Sequence, residues 1–347
     1  MSFGKRVTQK DVALRANVSR SAVSLALRND PRLPGKTIEH IQKIATEMGY
    51  APDPWLASLS SYRRSDYPRD LNMTIAMVTN WETKGAWRNQ SINLHYYEGA
   101  KEMAAQLGYK IEEFWIKEHG GENRTASILY NRGIKGILLI PMPPDVHTLD
   151  FDFSKFSVVQ VGRTLNWPIV NTVAYDHYNA MHQIVFILRV MGYRRIGFAA
   201  AKRENKRNES TWLASFLAKQ YDFTSEMAQI PIHRPEKLEK EPFLNWFQEN
   251  QCDVIISNDL RLYQYLKDAG YRIPDDVAFS CQCLDTAENV AGIYMDYKVA
   301  GAHAISFLHM MMMRDQRGCP KDPIRHLVEG SWHDGKTVLN RNKPMSD

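Results

Sequence analysis

The sequence predicts an all-α helix-turn-helix head followed by an α/β body of two doubly wound parallel-sheet subdomains. Three observations carry this. Residues 1–52 show short helical patterns opened by capping residues, with no strand pattern among them. From residue 73 onward, apolar strand-like runs alternate with helical ones in two series, the second starting at residue 194. The charge divides the same way: residues 1–70 hold 12 Lys/Arg against 7 Asp/Glu, whereas residues 71–347 hold 32 of each. All the excess positive charge lies in the first fifth of the chain, as expected of a small polyanion-binding head on a neutral body.

In the head, Thr8 followed by Asp11 reads as a capping-box helix start, with Val12, Ala13 and Ala16 on one face. Asn17 interrupts that helix, because asparagine tolerates the left-handed conformation of a tight turn. Ser19 is a good N-cap for a second helix; in the run 17–29, Val18, Val23 and Leu27 are the large apolar side chains and Ala22 and Ala26 the small ones. Packing leaves Arg20, Ser21 and Ser24 unexplained. Short donors beside a cation at the front of a helix suit base edges and phosphates. Two short helices joined this way form a helix-turn-helix, whose second helix lies in the major groove. A third helix, with Ile38, Ile41, Ala45 and Met48 at helical spacing, closes the small core before Gly49.

The run "TQKDVALRANVSRSAVSLALRNDPRLPGKTIEHIQKIATEMGYAPDP" resembles, over about fifty residues in register, the head of the lactose/galactose repressor (LacI) family of bacterial transcription regulators. The resemblance implies that Arg20, Ser21 and Ser24 read the operator, and that Thr8, Ser19, Asn29 and Thr37 serve phosphates. Leu25 stands where the family usually has an arginine that reads a guanine. A leucine at that position suits a thymine methyl and cannot make the bidentate guanine contact. Residues 53–70, "DPWLASLSSYRRSDYPRD", correspond to the family's hinge, which becomes helical when two subunits meet on DNA. Leu59 falls on the family's minor-groove wedge, with Leu56 a turn earlier. Ala57 and Ser60 replace the family's usual arginines, and Arg63 and Arg64 offer positive charge from further along.

The body begins with the strand "MTIAMVTN" (73–80), followed by the helix "NLHYYEGAKEMAAQLGY" (93–109), with Tyr97, Ala100, Ala104 and Leu107 on its apolar face and Gly108 as its stop. Further strands are "KIEEFWI", "KGILLIP" and "FSVVQVG", then "RRIGFAAA" (194–201) and "DVIISND" (253–259). In open parallel sheets, ligands bind at the carboxyl ends of strands. That rule selects Asn80 and Trp81, Arg163, Asp176, Asn258 with Asp259, and Asp285. The segments "VAYDHYNAMHQIVFILRVMGYRRIGFAAA" and "CDVIISNDLRLYQYLKDAGYRIPDDVAFSCQCLD" resemble the family's body. The resemblance starts the second subdomain at Asp176 and implies effector roles for Asp176, Asn258 and Asp285. The family's sugar-binding arginine falls on or near Asn208, with Arg207 beside it. Trp81, Trp87 and Trp212 are candidate faces for an apolar ring. The expected organisation is a head at 1–52, a hinge at 53–70 and a body at 71–347. Its N-subdomain spans about 71–175 plus 296–322, and its C-subdomain about 176–295 plus 323–340.

The other classes find little support. The N-terminus has no apolar core of signal-peptide length, and no later run approaches a membrane span, so the expected location is cytoplasmic with no membrane partner. The four cysteines, Cys252, Cys281, Cys283 and Cys319, are too irregular for a disulfide framework or a zinc site, and are expected as buried free thiols. No nucleophile elbow, H-E-x-x-H or P-loop occurs, and the 11 histidines are scattered, so the expectation is a non-enzyme without cofactor or metal. His177, beside Asp176, is expected as an effector contact or a surface residue, and the apolar helix ending in "MMMMR" as core or subunit-interface packing. A periplasmic sugar-binding protein without regulatory role would share the two-lobed body, but would need an export signal and no head. The resemblance implies a transcriptional regulator of repressor type with three partners: an operator in double-stranded DNA, a carbohydrate-like effector, and a second copy in a homodimer.

Overall fold

The computed structural model describes residues 7–27, 30, 32–48, 50, 73–202, 210–223, 225–286 and 289–342. Asn29, the hinge with Leu56, Leu59, Arg63 and Arg64, the stop at Gly49, and the pair Arg207 and Asn208 lie outside the described residues. The chain divides into two compact units, Met1–Arg69 and Asp70–Asp347.

The head holds α1 (Gln9–Ala16), α2 (Arg20–Ala26) and α3 (Gly35–Glu47). Thr8 Oγ1 accepts from the Asp11 amide at 3.4 Å, and the Thr8 amide donates back to the Asp11 carboxylate at 2.8 Å. This capping box satisfies donors that a helix start otherwise leaves unpaired. Asn17 closes α1 at φ 51° and ψ 46°, and Ser19 Oγ then accepts from the Ala22 amide at 3.1 Å to open α2. Val12, Ala13, Ala16, Val23, Ala26, Ile41 and Ala45 form the core, in which the alanines let the helices approach closely. Gln42 Nε2 ties α3 to the end of α2 by donating to the Ala26 carbonyl at 2.8 Å.

The body contains two sheets. The first comprises β1 (Met73–Thr79), β2 (Tyr109–Trp115), β3 (Gly136–Leu139), β4 (Ser157–Val161), β5 (Asn171–Tyr175) and β10 (Arg325–Val328), in the order β10-β5-β4-β3-β1-β2 and parallel throughout. The second comprises β6 (Ile196–Phe198), β7 (Val254–Ile256), β8 (Ala278–Leu284), β9 (Ala291–Tyr294) and β11 (Ser331–His333), in the order β11-β9-β8-β7-β6. Only β11 runs antiparallel to its neighbour there. Both inner cores are built from continuous buried runs such as Ile137, Leu138 and Leu139, the pattern that parallel sheets covered on both faces require.

Three expectations are corrected. Residues 323–340 do not belong wholly to the second subdomain, because β10 pairs with β5 of the first sheet and only β11 joins the second. Asn171 Oδ1 accepts from the Ile324 amide at 2.8 Å and starts that pairing, which covers the otherwise open edge of β5. On the helix that follows β1, the buried tyrosine is Tyr96 rather than Tyr97, and Leu107 remains 37% exposed. Of the thiols, Cys252 and Cys281 are buried, Cys283 is half-buried and Cys319 is exposed.

The first sheet is covered on one face by α4 (Ser91–Gln106) and α10 (Tyr297–Met313), whose backbones touch. A Cβ on Gly99 would lie 1.9 Å from the Lys298 carbonyl oxygen, and one on Gly301 would lie 2.0 Å from the Tyr96 carbonyl oxygen. Neither neighbour is a flexible side-chain tip, so any larger residue must force the helices apart. Gly301→Ala is therefore expected to destabilise the body by roughly 1–3 kcal/mol or more, as overpacking does. Calorimetric melting of the variant beside the parent checks this, and an unchanged melting temperature would mean that the two helices separate freely.

Candidate functional site

A cavity of about 290 Å³ lies between the two lobes of the body, at the carboxyl ends of their strands. The first lobe contributes Trp81 after β1, Pro141 and Pro144 after β3, Arg163 and Thr164 after β4, and Tyr175 at the end of β5. The second lobe contributes Asn258 after β7 and Cys283 within β8. It also contributes His177, at the start of α6 (His177–Val190), and Trp212, at the start of α7 (Thr211–Asp222). Asn93 and Tyr96 enter from α4, and Tyr297 from α10.

Trp81 is fixed at both ends. Its Nε1 donates to the Pro141 carbonyl at 3.2 Å, and its own carbonyl accepts from Trp115 Nε1 at 2.9 Å. Three tyrosines form a chain of edge-to-face contacts, Tyr96 to Tyr297 at 5.2 Å and Tyr297 to Tyr175 at 5.1 Å. Tyr175 donates to the Asp296 carbonyl at 2.5 Å. Burial raises all three phenol pKa values, so the chain is neutral and presents ring edges and hydroxyls.

His177 packs edge-on against Trp212, with ring centroids 5.0 Å apart. Burial pushes its imidazole down to about 4; Asp176 opposes that shift and the Arg163 charge adds to it. The ring is therefore neutral at pH 7. His177 Nδ1 and Trp212 Nε1 are buried without a hydrogen-bond partner. The Arg163 guanidinium is pushed down from its ordinary value, first by burial and then by the like charge of Arg325.

The structure brings together Trp81, Arg163 and Asn258 on the cavity wall. Asn258 Oδ1 there accepts from Gln282 Nε2 at 3.5 Å. Asn80, Asp176 and Asp285 are not on the wall. Asn80 is half-buried at the end of β1. Asp176 caps α6, accepting from the Asn179 amide at 2.9 Å. Asp285 accepts from Ser91 Oγ at 2.7 Å, a bond between the second lobe and the first residue of α4 in the first. Asp259 is paired with Arg261 across the start of α9 (Arg261–Asp268), which follows α8 (Lys240–Asn250). Trp87 is fully buried and donates to Glu113 at 2.9 Å, so it serves the core and not the cavity. His177 is a wall residue rather than a surface one. Sequence reasoning did not select Asn93, Tyr96, Tyr175 or Tyr297, because aromatic residues at helical spacing or at a strand end look like plain core.

In the head, Ser19, Arg20 and Ser21 are exposed at the front of α2, while Ser24 and Leu25 are half-buried further along it. Thr8 is exposed, its side chain engaged with Asp11, and Thr37 is half-buried in the first turn of α3.

The fold and the cavity define a class: a helix-turn-helix module followed in the chain by a two-lobed, doubly wound α/β body with a cavity between its lobes. Residues 8–53 match the family model "Bacterial regulatory proteins, lacI family". The chain is 47% identical over 200 residues to the HTH-type transcriptional repressor CytR of Escherichia coli (strain K12), across 57% of this chain and 54% of that one. The chain thus spans about half the length of the curated relatives it matches. Among solved structures, a transcriptional regulator CelR–cellobiose complex superposes with a TM-score of 0.57 at 18% identity, over 96% of this chain and 100% of that one. The lac repressor dimer bound to operator and the anti-inducer ONPF gives 0.55 at 16% identity, over 96% and 100%. These two likenesses show the fold.

The His177 environment makes stability pH-dependent. Its folded pKa of about 4 lies below the ordinary 6.5, so the neutral ring's contribution is complete above pH 6.5 and is lost as the pH falls toward 4. His177→Gln should remove that loss, giving a variant-minus-parent stability difference that grows between pH 6.5 and 4 by on the order of 3 kcal/mol. Denaturant midpoints measured across this range check it, and a difference constant with pH would contradict a neutral, buried His177.

Proposed function

We propose that this protein is a sequence-specific DNA-binding transcriptional regulator of repressor type, whose operator affinity is set by a small ligand in the cleft between its lobes. The observation that carries this reading is the joining, in one chain, of a lacI-family head and a body with a cavity at the carboxyl ends of its strands. The partners are a near-palindromic operator in double-stranded DNA, a carbohydrate-like effector and a second copy of the chain, since one head covers only a half-site. The Escherichia coli relative is named a transcriptional repressor, and the superposed structures are named with an operator and with cellobiose. The protein acts in the cytoplasm, where its DNA lies, and it performs no catalytic step. No helix among the described residues is long and apolar enough to cross a membrane. A periplasmic-type sugar-binding role would leave the capped helix-turn-helix and its exposed Arg20 without a use.

In this reading, Arg20 and Ser21 reach base edges from the front of α2, with Ser24 and Leu25 behind them. Thr8, Ser19, Asn29 and Thr37 hold phosphates, and Leu56 and Leu59 act at the minor groove. Trp81, Arg163 and Asn258 touch the effector, and the family resemblance adds Arg207 and Asn208 as effector contacts. Asn80 directly precedes Trp81, Asp176 caps the helix that begins with His177, and Asp285 acts through Ser91 across the cleft. The ligand shifts operator affinity only by its differential affinity for the two lobe arrangements, so operator DNA must change ligand affinity by the same factor.

Selection of binding sites from random duplexes, followed by titration at several salt concentrations, tests the reading. The expected result is a near-palindromic site bound by a dimer, with affinity falling steeply as salt rises. Arg20→Ala should cost about 1–3 kcal/mol on that site and relax its sequence preference. An equal loss on random DNA would make Arg20 a phosphate contact only, and failure to enrich any site would overturn the function.

A further inference from the structure

The two lobes of the body are joined by three passages of the chain, after β5, after β9 and after β10. A bond beside a passage, such as that of Tyr175 to the Asp296 carbonyl, is held in place by its covalent neighbours. The Ser91–Asp285 bond is not. It joins residues 194 positions apart, one following β1 and one following β8, so it lasts only while the lobes keep this arrangement. It also lies beside the cavity. Gln90 and Ile92, on either side of Ser91, are wall residues, and so is Cys283, two positions before Asp285. Parting Ser91 from Asp285 therefore parts the wall at that place.

The start of α4 explains why the contact is favourable. Gln90 stands at its N-cap without a side-chain capping bond, and the first turn holds no acidic residue. A helix start carries unpaired amides and a partial positive charge, and it favours a carboxylate close by. α6 and α10 have their own, in Asp176 and Asp296. For α4 the carboxylate comes from the other lobe, where Asp285 Oδ2 accepts from Ser91 Oγ at 2.7 Å.

We propose that Ser91 and Asp285 form a latch, in which the second lobe supplies the negative charge at the start of α4 and so holds the cavity closed. Asp285 then serves the lobe arrangement and not a ligand. The latch stands independently of the regulatory function; only its bearing on operator affinity rests on that reading. Cys283 reports it without ligand or DNA, because this thiol is half-buried on the wall, whereas Cys319 is exposed and outside the cavity. The test is alkylation of the full-length protein by N-ethylmaleimide, with the rate at each cysteine read by mass spectrometry. Ser91→Ala and Asp285→Ala should each raise the Cys283 rate about two- to tenfold, as the loss of one hydrogen bond does. The Cys319 rate should not change. The double variant should react no faster than either single one, because both substitutions remove the same bond. An unchanged Cys283 rate, additive effects of the two substitutions, or an equal rise at Cys319 overturns the latch. Operator titration of Ser91→Ala without any sugar separates this from the regulatory reading. A raised Cys283 rate with unchanged operator affinity keeps the latch and counts against control of DNA binding by the cleft.

Discussion

The body depends on the contact between α4 and α10 more than on any other pairing. Helices whose side chains intervene pack about 8–10 Å apart, but Gly99 and Gly301 let these two meet backbone to backbone. The atoms they meet are the carbonyl oxygens of Lys298 and Tyr96. Tyr96 and Tyr297, the neighbour of Lys298, are also the residues that these helices send into the cavity. The contact that sets the helix spacing therefore also sets the tyrosine chain. The Glu98–Lys298 ion pair spans the same two helices at 2.9 Å, but both side chains are substantially exposed, so it adds little to what the glycines fix.

Much of this architecture was legible because it is local. Thr8, Asp11, Asn17 and Ser19 each act within four residues of themselves, so the head's helix ends could be read directly. The parallel strands were legible because burial on both faces demands unbroken apolar runs. Distant choices were not legible. The pairing of β10 with β5 rests on Asn171 meeting a segment over 150 residues away, and no local pattern announces it. Choosing Tyr96 over Tyr97 needs the position of α10, and the value of Gly99 needs the path of a helix 200 residues downstream.

The site divides in the same way. The rule that ligands sit at the carboxyl ends of parallel strands led to Trp81, Arg163 and Asn258, whose positions follow from where a strand stops. Asp176 and Asp285, which the same rule selects, do not line the cavity, because a carboxylate at a strand end has competing uses. An aspartate directly before a helical run is a natural N-cap, and Asp176 takes that role. Asp285 finds Ser91 across the cleft, a partner that only the folded chain brings near.

That bond also bounds how the cleft can work as a switch. The Ser91–Asp285 hydrogen bond is charge-assisted but exposed to water, and such bonds contribute about 1–3 kcal/mol at most. Moving a two-state equilibrium from one part in a hundred to ninety-nine takes roughly 5.5 kcal/mol of differential affinity. The Ser91–Asp285 bond can bias the lobes toward one arrangement, but it cannot hold them there alone. The remaining difference has to come from groups that a ligand touches on both lobes together. The wall supplies them, with Trp81 and Arg163 on one side and His177 and Trp212 on the other. A ligand seated only against the tyrosines would bind either arrangement alike and change nothing, however tightly it bound. Under the proposed function, control of the cleft lies with wall groups from both lobes, Trp81 and Arg163 from the first and His177 and Trp212 from the second.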